Sequence, residues 1–234
     1  MKYSKFLSIP FSIGIACLSG VHAAVIDDFS GDLSNYTSTV ILDVNGGGSN
    51  TASWQIVGGA LQYQTSAYDG IEQSVLIFNG LNLQIGEEVQ VDVAESGNQD
   101  IGLYVGGTIP VAGVRQNYIN IYARTPTELY TRGFLGTGEI SINGGPGQPE
   151  FSKLFILRDG ENDFELGYYD GATRVVISDR NNMTGNDASV VGFYTDVRGT
   201  GTVGTLDNLS IVPEPSVSLL GALAGFALLR RRRA

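Results

Sequence analysis

The sequence is nearly without thiol and imidazole chemistry. Its 234 residues include one cysteine, Cys17, and one histidine, His22. Both lie in an N-terminal stretch that opens with Lys2 and Lys5, continues through an apolar run at residues 6–18 and reaches Val21-His22-Ala23, small or modest residues ahead of a cut. That order predicts a secretory signal over residues 1–23, removed after Ala23 or Ala24. Gly14-Ile15-Ala16 before Cys17 does not spell a lipoprotein signal. The protein left after cleavage has no disulfide, no thiolate nucleophile, no imidazole base and no zinc site of cysteine or histidine ligands. A Ser-His-Asp triad is excluded with them.

Positive charge is the second scarcity. Six of the 14 basic residues (Lys2, Lys5, Arg230, Arg231, Arg232 and Arg233) sit in the two ends of the chain, against one of the 24 acidic residues, Glu214. The part between therefore holds 8 basic and 23 acidic residues, a balance of −15. Such a surface repels nucleic acid and anionic lipid. It is compatible with neutral glycans and with divalent cations held by carboxylates.

Helical periodicity is the third. No part of residues 25–212 repeats apolar side chains at helical spacing over a helix's length. Short alternating runs recur instead, separated by Gly, Asn and Asp. Val89, Val91 and Val93 alternate with Gln90 and Asp92, and Tyr118, Asn120 and Tyr122 alternate with Ile119 and Ile121. The 188 residues from 25 to 212 suffice for one domain with a sizeable core. The pattern predicts an all-β domain, an antiparallel β-sandwich or barrel.

What is present at the C-terminus is a fixed order of three parts: Pro213-Glu214-Pro215, an apolar run of 13 residues at 217–229, then Arg230 to Arg233. The prolines stop strand pairing. The run is shorter than the roughly 20 residues of a usual spanning helix, and arginine stems can extend it. Arginines after an apolar run stay on the cytoplasmic side, leaving everything upstream outside. This order resembles the PEP-CTERM sorting tail of Gram-negative bacteria that make exopolysaccharide. The resemblance implies a short hydrophobic helix over residues 213–234, transient membrane anchoring, a membrane transpeptidase of the exosortase type as partner, and release to the cell surface or biofilm matrix.

Within the domain, Asp27-Asp28-Phe29 opens the chain and Leu206-Asp207-Asn208-Leu209 closes it. Between them run two turns, Arg158-Asp159-Gly160 and Asp170-Gly171, around an aromatic strand with Phe164, Tyr168 and Tyr169. This spacing resembles the concanavalin A-like (laminin G-like) jelly roll, in which the first and last strands lie close together. That proximity makes Asp27, Asp28, Asp207 and Asn208 candidate calcium ligands, since calcium takes several hard oxygens. No other cofactor is expected. Asp207 falls on the alternation of Leu209 and Ile211, which aims a carboxylate inward unless a bulge intervenes.

Glu161, Asp163 and Glu165 spell E-x-D-x-E, which resembles the catalytic motif of laminarinase-type glycosidases. On one strand the three would share a face, with Glu161 as nucleophile and Glu165 as acid/base. Asp159-Gly160-Glu161-Asn162 is also a turn sequence, which puts Glu161 in the loop. Gly199, Gly201 and Gly204 spell a dinucleotide fingerprint with no helix to follow, so they read as a turn. Trp54 alternates with Ile56, the position of a core side chain. Tyr168 and Tyr169 must face opposite ways, and the outward one is a candidate glycan contact. The leading expectation is an exported, non-catalytic structural or glycan-binding module with exopolysaccharide as its partner. The alternatives are a polysaccharide-acting glycosidase and a matrix protein without a ligand.

Overall fold

The computed structural model describes residues 23–44, 53–65, 70–96, 100–197 and 199–213. The expected signal, and the tail from Glu214 through Pro215 to the four arginines, lie outside the described residues. Among the described residues no helix is long and apolar enough to cross a membrane. Every regular element there is a strand: β1 (Ala24–Asp27), β2 (Tyr36–Asp43), β3 (Ser53–Val57), β4 (Ala60–Thr65), β5 (Glu72–Phe78), β6 (Glu87–Ser96), β7 (Asp100–Gly106), β8 (Tyr118–Thr125), β9 (Glu128–Leu135), β10 (Gly138–Pro146), β11 (Lys153–Arg158), β12 (Phe164–Asp170), β13 (Thr173–Arg180), β14 (Val190–Val197) and β15 (Gly201–Pro213).

These strands form two sheets. The first runs β13-β12-β11-β6-β15-β4-β3, with β1 paired to β15; the second runs β10-β9-β8-β7-β14-β5-β2. All described pairings are antiparallel. The period-two pattern selects the register. Val89 and Val91 of β6, Leu154 and Ile156 of β11, and Leu166 of β12 share one core cluster with Leu103 and Val105 of β7, Ile119 and Ile121 of β8, and Phe193 of β14. Burying side chains of this size is worth about 1.5–3 kcal/mol each, and a one-residue slip would turn all of them outward. Trp54 joins the same core at 6% exposure, its Nε1 donating to Ser74 Oγ at 3.1 Å.

The last strand organises the first sheet. One edge of β15 pairs with β6 from Gly204 to Pro213. Its other edge is shared: Gly201 to Leu206 face β4, and Leu209 to Ile211 face β1. The partners change at Asp207-Asn208, where the β6 ladder is irregular and Asn208 has a φ of 51°. Asparagine tolerates that left-handed conformation better than most residues. The bulge re-aims the strand. Leu206, Leu209 and Ile211 all enter the core, while Asp207 stays half-buried outside it. The first and last strands of the domain are adjacent, with Ala24 opposite Ile211.

Candidate functional site

On the outer face of the first sheet, alternation sets Glu88 and Gln90 of β6, Phe155 and Leu157 of β11, Glu165 and Tyr169 of β12, and Arg174 of β13 on the side away from the core. Arg174 ties them together. Its Nε bonds Glu88 Oε2 at 2.8 Å, its Nη1 bonds Glu165 Oε2 at 2.8 Å, and its guanidinium lies 4.0 Å over the Phe155 ring. Tyr169 O–H donates to Glu88 Oε1 at 2.7 Å, and its ring meets Phe155 edge-on at 5.6 Å. Phe155 is thereby fully buried on an outer sheet face. The close approach depends on Gly167, because a Cβ there would lie 1.9 Å from Val175 O and 2.7 Å from the Phe155 ring.

The polar chain continues along the sheet. Gln90 Nε2 donates to Glu88 Oε1 at 2.6 Å and to Tyr169 Oη at 3.2 Å; Lys153 Nζ reaches Gln90 Oε1 and Asp92 Oδ1, both at 3.2 Å. At the Glu88 end, Leu157, Asp159, Val212 and Pro213 complete a cleft of about 400 Å³ with Glu88, Glu165, Tyr169 and Arg174. Arg174 Nη2 is buried and has no protein hydrogen-bond partner. Burial opposes the Arg174 charge, but its hydrogen bonds and ion pairs with Glu88 and Glu165 outweigh it and hold the guanidinium above its ordinary pKa. Burial, then the bond to Glu88 and its charge, push Tyr169 up to about 12. Burial, with the charges of Glu165, Asp179 and Asp163, pushes Asp159 above the usual aspartate range. The cleft can offer carboxylate acceptors, guanidinium donors and one aromatic ring to a ligand.

The three residues of the E-x-D-x-E run separate. Glu161 and Asp163 precede β12 in a turn closed by Asp159 N and Gly160 N on the Asp163 carbonyl, at 3.1 and 3.3 Å. Arg158 Nη2 donates to the Glu161 carbonyl at 2.9 Å, and Asp163 Oδ1 accepts from Asn182 N at 2.8 Å. Only Glu165 reaches the cleft. Tyr168 and Tyr169 face opposite ways: Tyr168 is 2% exposed against Phe151, and Tyr169 lines the cleft.

The oxygen-rich residues of β1 and β15 fall into two sets. Asp27 Oδ1 accepts from Phe29 N at 2.7 Å and its Oδ2 from Tyr36 O–H at 2.8 Å. Asp28 is capped by Ser30 N at 3.1 Å and sits with Asp32 along an open basin of about 770 Å³. The side-chain and backbone hydrogen bonds of Ser30 hold Asp28 below the usual carboxylate range, and those of Ser34 do the same for Asp32. Asp207 Oδ1 accepts from Asn208 N at 2.7 Å, and Asn208 Nδ2 donates to Asp92 Oδ2 at 3.0 Å. Adjacent strands thus do not turn these four side chains into one cage. Asp27 already binds two protein donors, and the Asn208 amide turns a donor toward Asp92. Among the described residues no group of three or more acidic side chains is arranged to hold a metal ion.

The outer face of the second sheet is different and was not singled out from sequence. Tyr104, Tyr118 and Phe134 form a row with centroids 4.9 and 5.1 Å apart, ending under Arg115 at 4.7 Å. Tyr194, Tyr122 and Tyr130 form a second row at 5.4 and 5.8 Å, with Arg124 over Tyr130 at 4.8 Å. Apart from Tyr130 these rings are buried, in a second cluster with Ile41, Val75, Ile77 and Val190. Carboxylates are buried among them. Arg132 Nη1 lies 3.6 Å from Asp196, and Arg124 holds Asp100 at 2.7 and 3.1 Å.

No protein-family model matches the chain, and no curated protein matches it. Solved structures do resemble it. A Bacillus subtilis protein of unknown function with a galectin-like fold superposes at a TM-score of 0.50, over 77% of this chain and 90% of that one, at 6% identity. The exoplasmic/lumenal domain of VIP36, in its Ca2+/Man3GlcNAc-bound form, superposes at a TM-score of 0.51 over 81% of this chain and 87% of that one, at 11% identity. The likeness is one of fold: a two-sheet antiparallel sandwich of the galectin-like, jelly-roll kind.

Proposed function

We propose that this is an exported, non-catalytic module that binds a neutral glycan in the cleft on the outer face of the first sheet. The observation that carries it is the convergence there of the Tyr169 ring, the Glu88 and Glu165 carboxylates and the buried, unpartnered Nη2 of Arg174. Sugar hydroxyls both donate and accept, so they match a site that offers acceptors and donors side by side. Aromatic rings take the apolar face of a pyranose. Three carboxylates stand against one guanidinium in the cleft wall, which favours an uncharged sugar over an acidic one. A sandwich of the kind seen with Man3GlcNAc bound in VIP36 supports the reading by architecture alone. Of the three carboxylates of the glycosidase reading, only Glu165 lines the cleft.

Export and sorting belong to the same proposal. The signal at residues 1–23 and the Pro213-Glu214-Pro215 tail carry the domain through the inner membrane to an exosortase-type transpeptidase, and from there to the surface or matrix. Tags on either side of Pro213-Glu214-Pro215 should separate on fractionation; a single membrane-bound species would mean a plain anchor. For the cleft, a panel of neutral oligosaccharides should yield a ligand whose affinity falls at least ten-fold, about 1.4 kcal/mol, in Tyr169→Ala and in Arg174→Ala. Absence of binding across the panel would favour a matrix protein without a ligand. Hydrolysis of a β-glucan that is lost in Glu161→Gln or Glu165→Gln would favour the glycosidase.

A further inference from the structure

A second groove lies on the opposite side of the sandwich. It occupies about 510 Å³ beside the edge strand β2 of the second sheet, and Ile77 and Val190 in its floor belong to the cluster on that sheet's outer face. Its lining contains no ionisable residue, although the domain around it carries a balance of −15. Its apolar lining includes Phe78, Leu81, Ile109 and Pro110, and its polar side chains are the hydroxyls and amide of Thr37, Thr39, Asn79 and Ser189.

The groove is built, not incidental. Phe78 is held edge-on by Tyr36 at 5.0 Å, and Thr37 O–H donates to Asn79 Oδ1 at 2.8 Å. The segment that brings in Ile109 is pinned at both ends. Gly107 N donates to Asn117 O at 3.0 Å and Ser189 O–H to Gly107 O at 2.9 Å; Gly113 N donates to Val40 O at 3.0 Å. Ile109 is nonetheless 72% exposed, and Val111 on the same segment 54%. Large apolar side chains held in water by a tied-down loop, next to uncharged hydrogen-bonding groups, suit a ligand with both apolar faces and hydroxyls. A cationic partner would find no counter-charge there, and an anionic one would meet the field of the whole domain.

We infer that this groove is a second neutral-glycan site, so that one chain holds two saccharide strands on opposite faces and cross-links them. The inference rests on the glycan reading of the first cleft and adds to it valence. Two sites on one rigid domain convert weak single contacts into a network, because each bound strand raises the effective concentration of the next.

The test uses the full chain with neutral hexasaccharides of glucose, mannose, galactose and N-acetylglucosamine, and then the parent polysaccharide of whichever binds. Calorimetry should give two hexasaccharides per chain, falling to one in Ile109→Asp and to one in Tyr169→Ala. Polysaccharide precipitation should be lost in either variant. Ile109 is exposed and Tyr169 half-buried, so a cooperative melting transition in each variant checks that the fold is kept. If Ile109→Asp leaves stoichiometry and precipitation intact, the second site is overturned and the cleft stands. Should Ile109→Asp abolish binding while Tyr169→Ala does nothing, the cleft reading and the cross-linking both fail, leaving the groove as the site. No binding to any of the four overturns both.

Discussion

The two outer faces of this sandwich differ in their most enclosed ion pair, although each also sets a partly exposed arginine on a buried carboxylate, Arg174 at 29% on Glu88 at 8% and Arg124 at 31% on Asp100 at 2%. On the first sheet, Asp92, Lys153, Gln90, Tyr169, Glu88, Arg174 and Glu165 form a chain of contacts near the surface, and the Arg174 side chain keeps 29% of its exposure. On the second, Arg132 keeps 10% and Asp196 none, beneath and between aromatic rings. The same ion types therefore do different jobs. Half-exposed pairs contribute little to stability because water competes for them. Buried pairs have already lost their water, so removing one member strands the other. The first face keeps its charges within reach of a ligand; the second, away from the groove beside β2, is a lesser core facing outward.

The comparison can be broken from either side. The largest effect is expected at Arg132→Ala, which takes away a cation from exposed Glu139 and from buried Asp196, leaving the latter the Gln73 amide; urea unfolding should show a loss of about 3 kcal/mol. A loss under about 1 kcal/mol would mean that the second face is as solvated as the first. Arg174→Ala should cost only about 1 kcal/mol of stability, the ion pairs and the stacking on Phe155 together, while abolishing glycan binding in the cleft. Equal losses from the two arginines would erase the distinction.

A smaller effect is expected at Asp159. Its folded pKa is raised above the ordinary 3.8, so its burial favours the protonated form, a contribution present below that value and lost as pH rises through the folded pKa. Asp159→Asn should therefore stabilise slightly at pH 7, by no more than about 0.5 kcal/mol at so exposed a position, and the gain should vanish in acid. Denaturant midpoints at the two pH values decide it. Smallest of all is the response to calcium. Melting in EDTA and then in excess calcium should move the midpoint by less than about 1 °C, because a ligand shifts stability only by binding the folded state. A rise of several degrees would show that Asp27, Asp28 or Asp207 gives up its protein donors for the ion.

Much of the first sheet was legible in advance. Alternation placed Val89 and Val91 inward, the turn residues put Glu161 ahead of β12, and Tyr168 and Tyr169 had to diverge. The cleft itself was not legible. Glu88 and Arg174 are 86 positions apart, and no local spacing tells which distant strands will flank β11. The second face hid for another reason. Tyr118 and Tyr122 alternate with Ile119 and Ile121, so both sides of β8 read as apolar, and period two cannot say which side meets the core. Asp207 went outward through one residue, Asn208, whose bulge shifts every later side chain.

The cleft wall includes Val212 and Pro213, the last two residues of β15. A saccharide seated there and whatever follows Pro213 would pull on nearly the same point. Tension between them would enter along β15, whose paired stretch on β6 runs from Gly204 to Pro213. Hydrogen bonds in such a ladder lie across the strand direction, so an axial pull loads them in shear and together, not one by one. Leu206, Leu209 and Ile211 of that strand lie in the core, so a force carried along β15 would run through the hydrophobic interior.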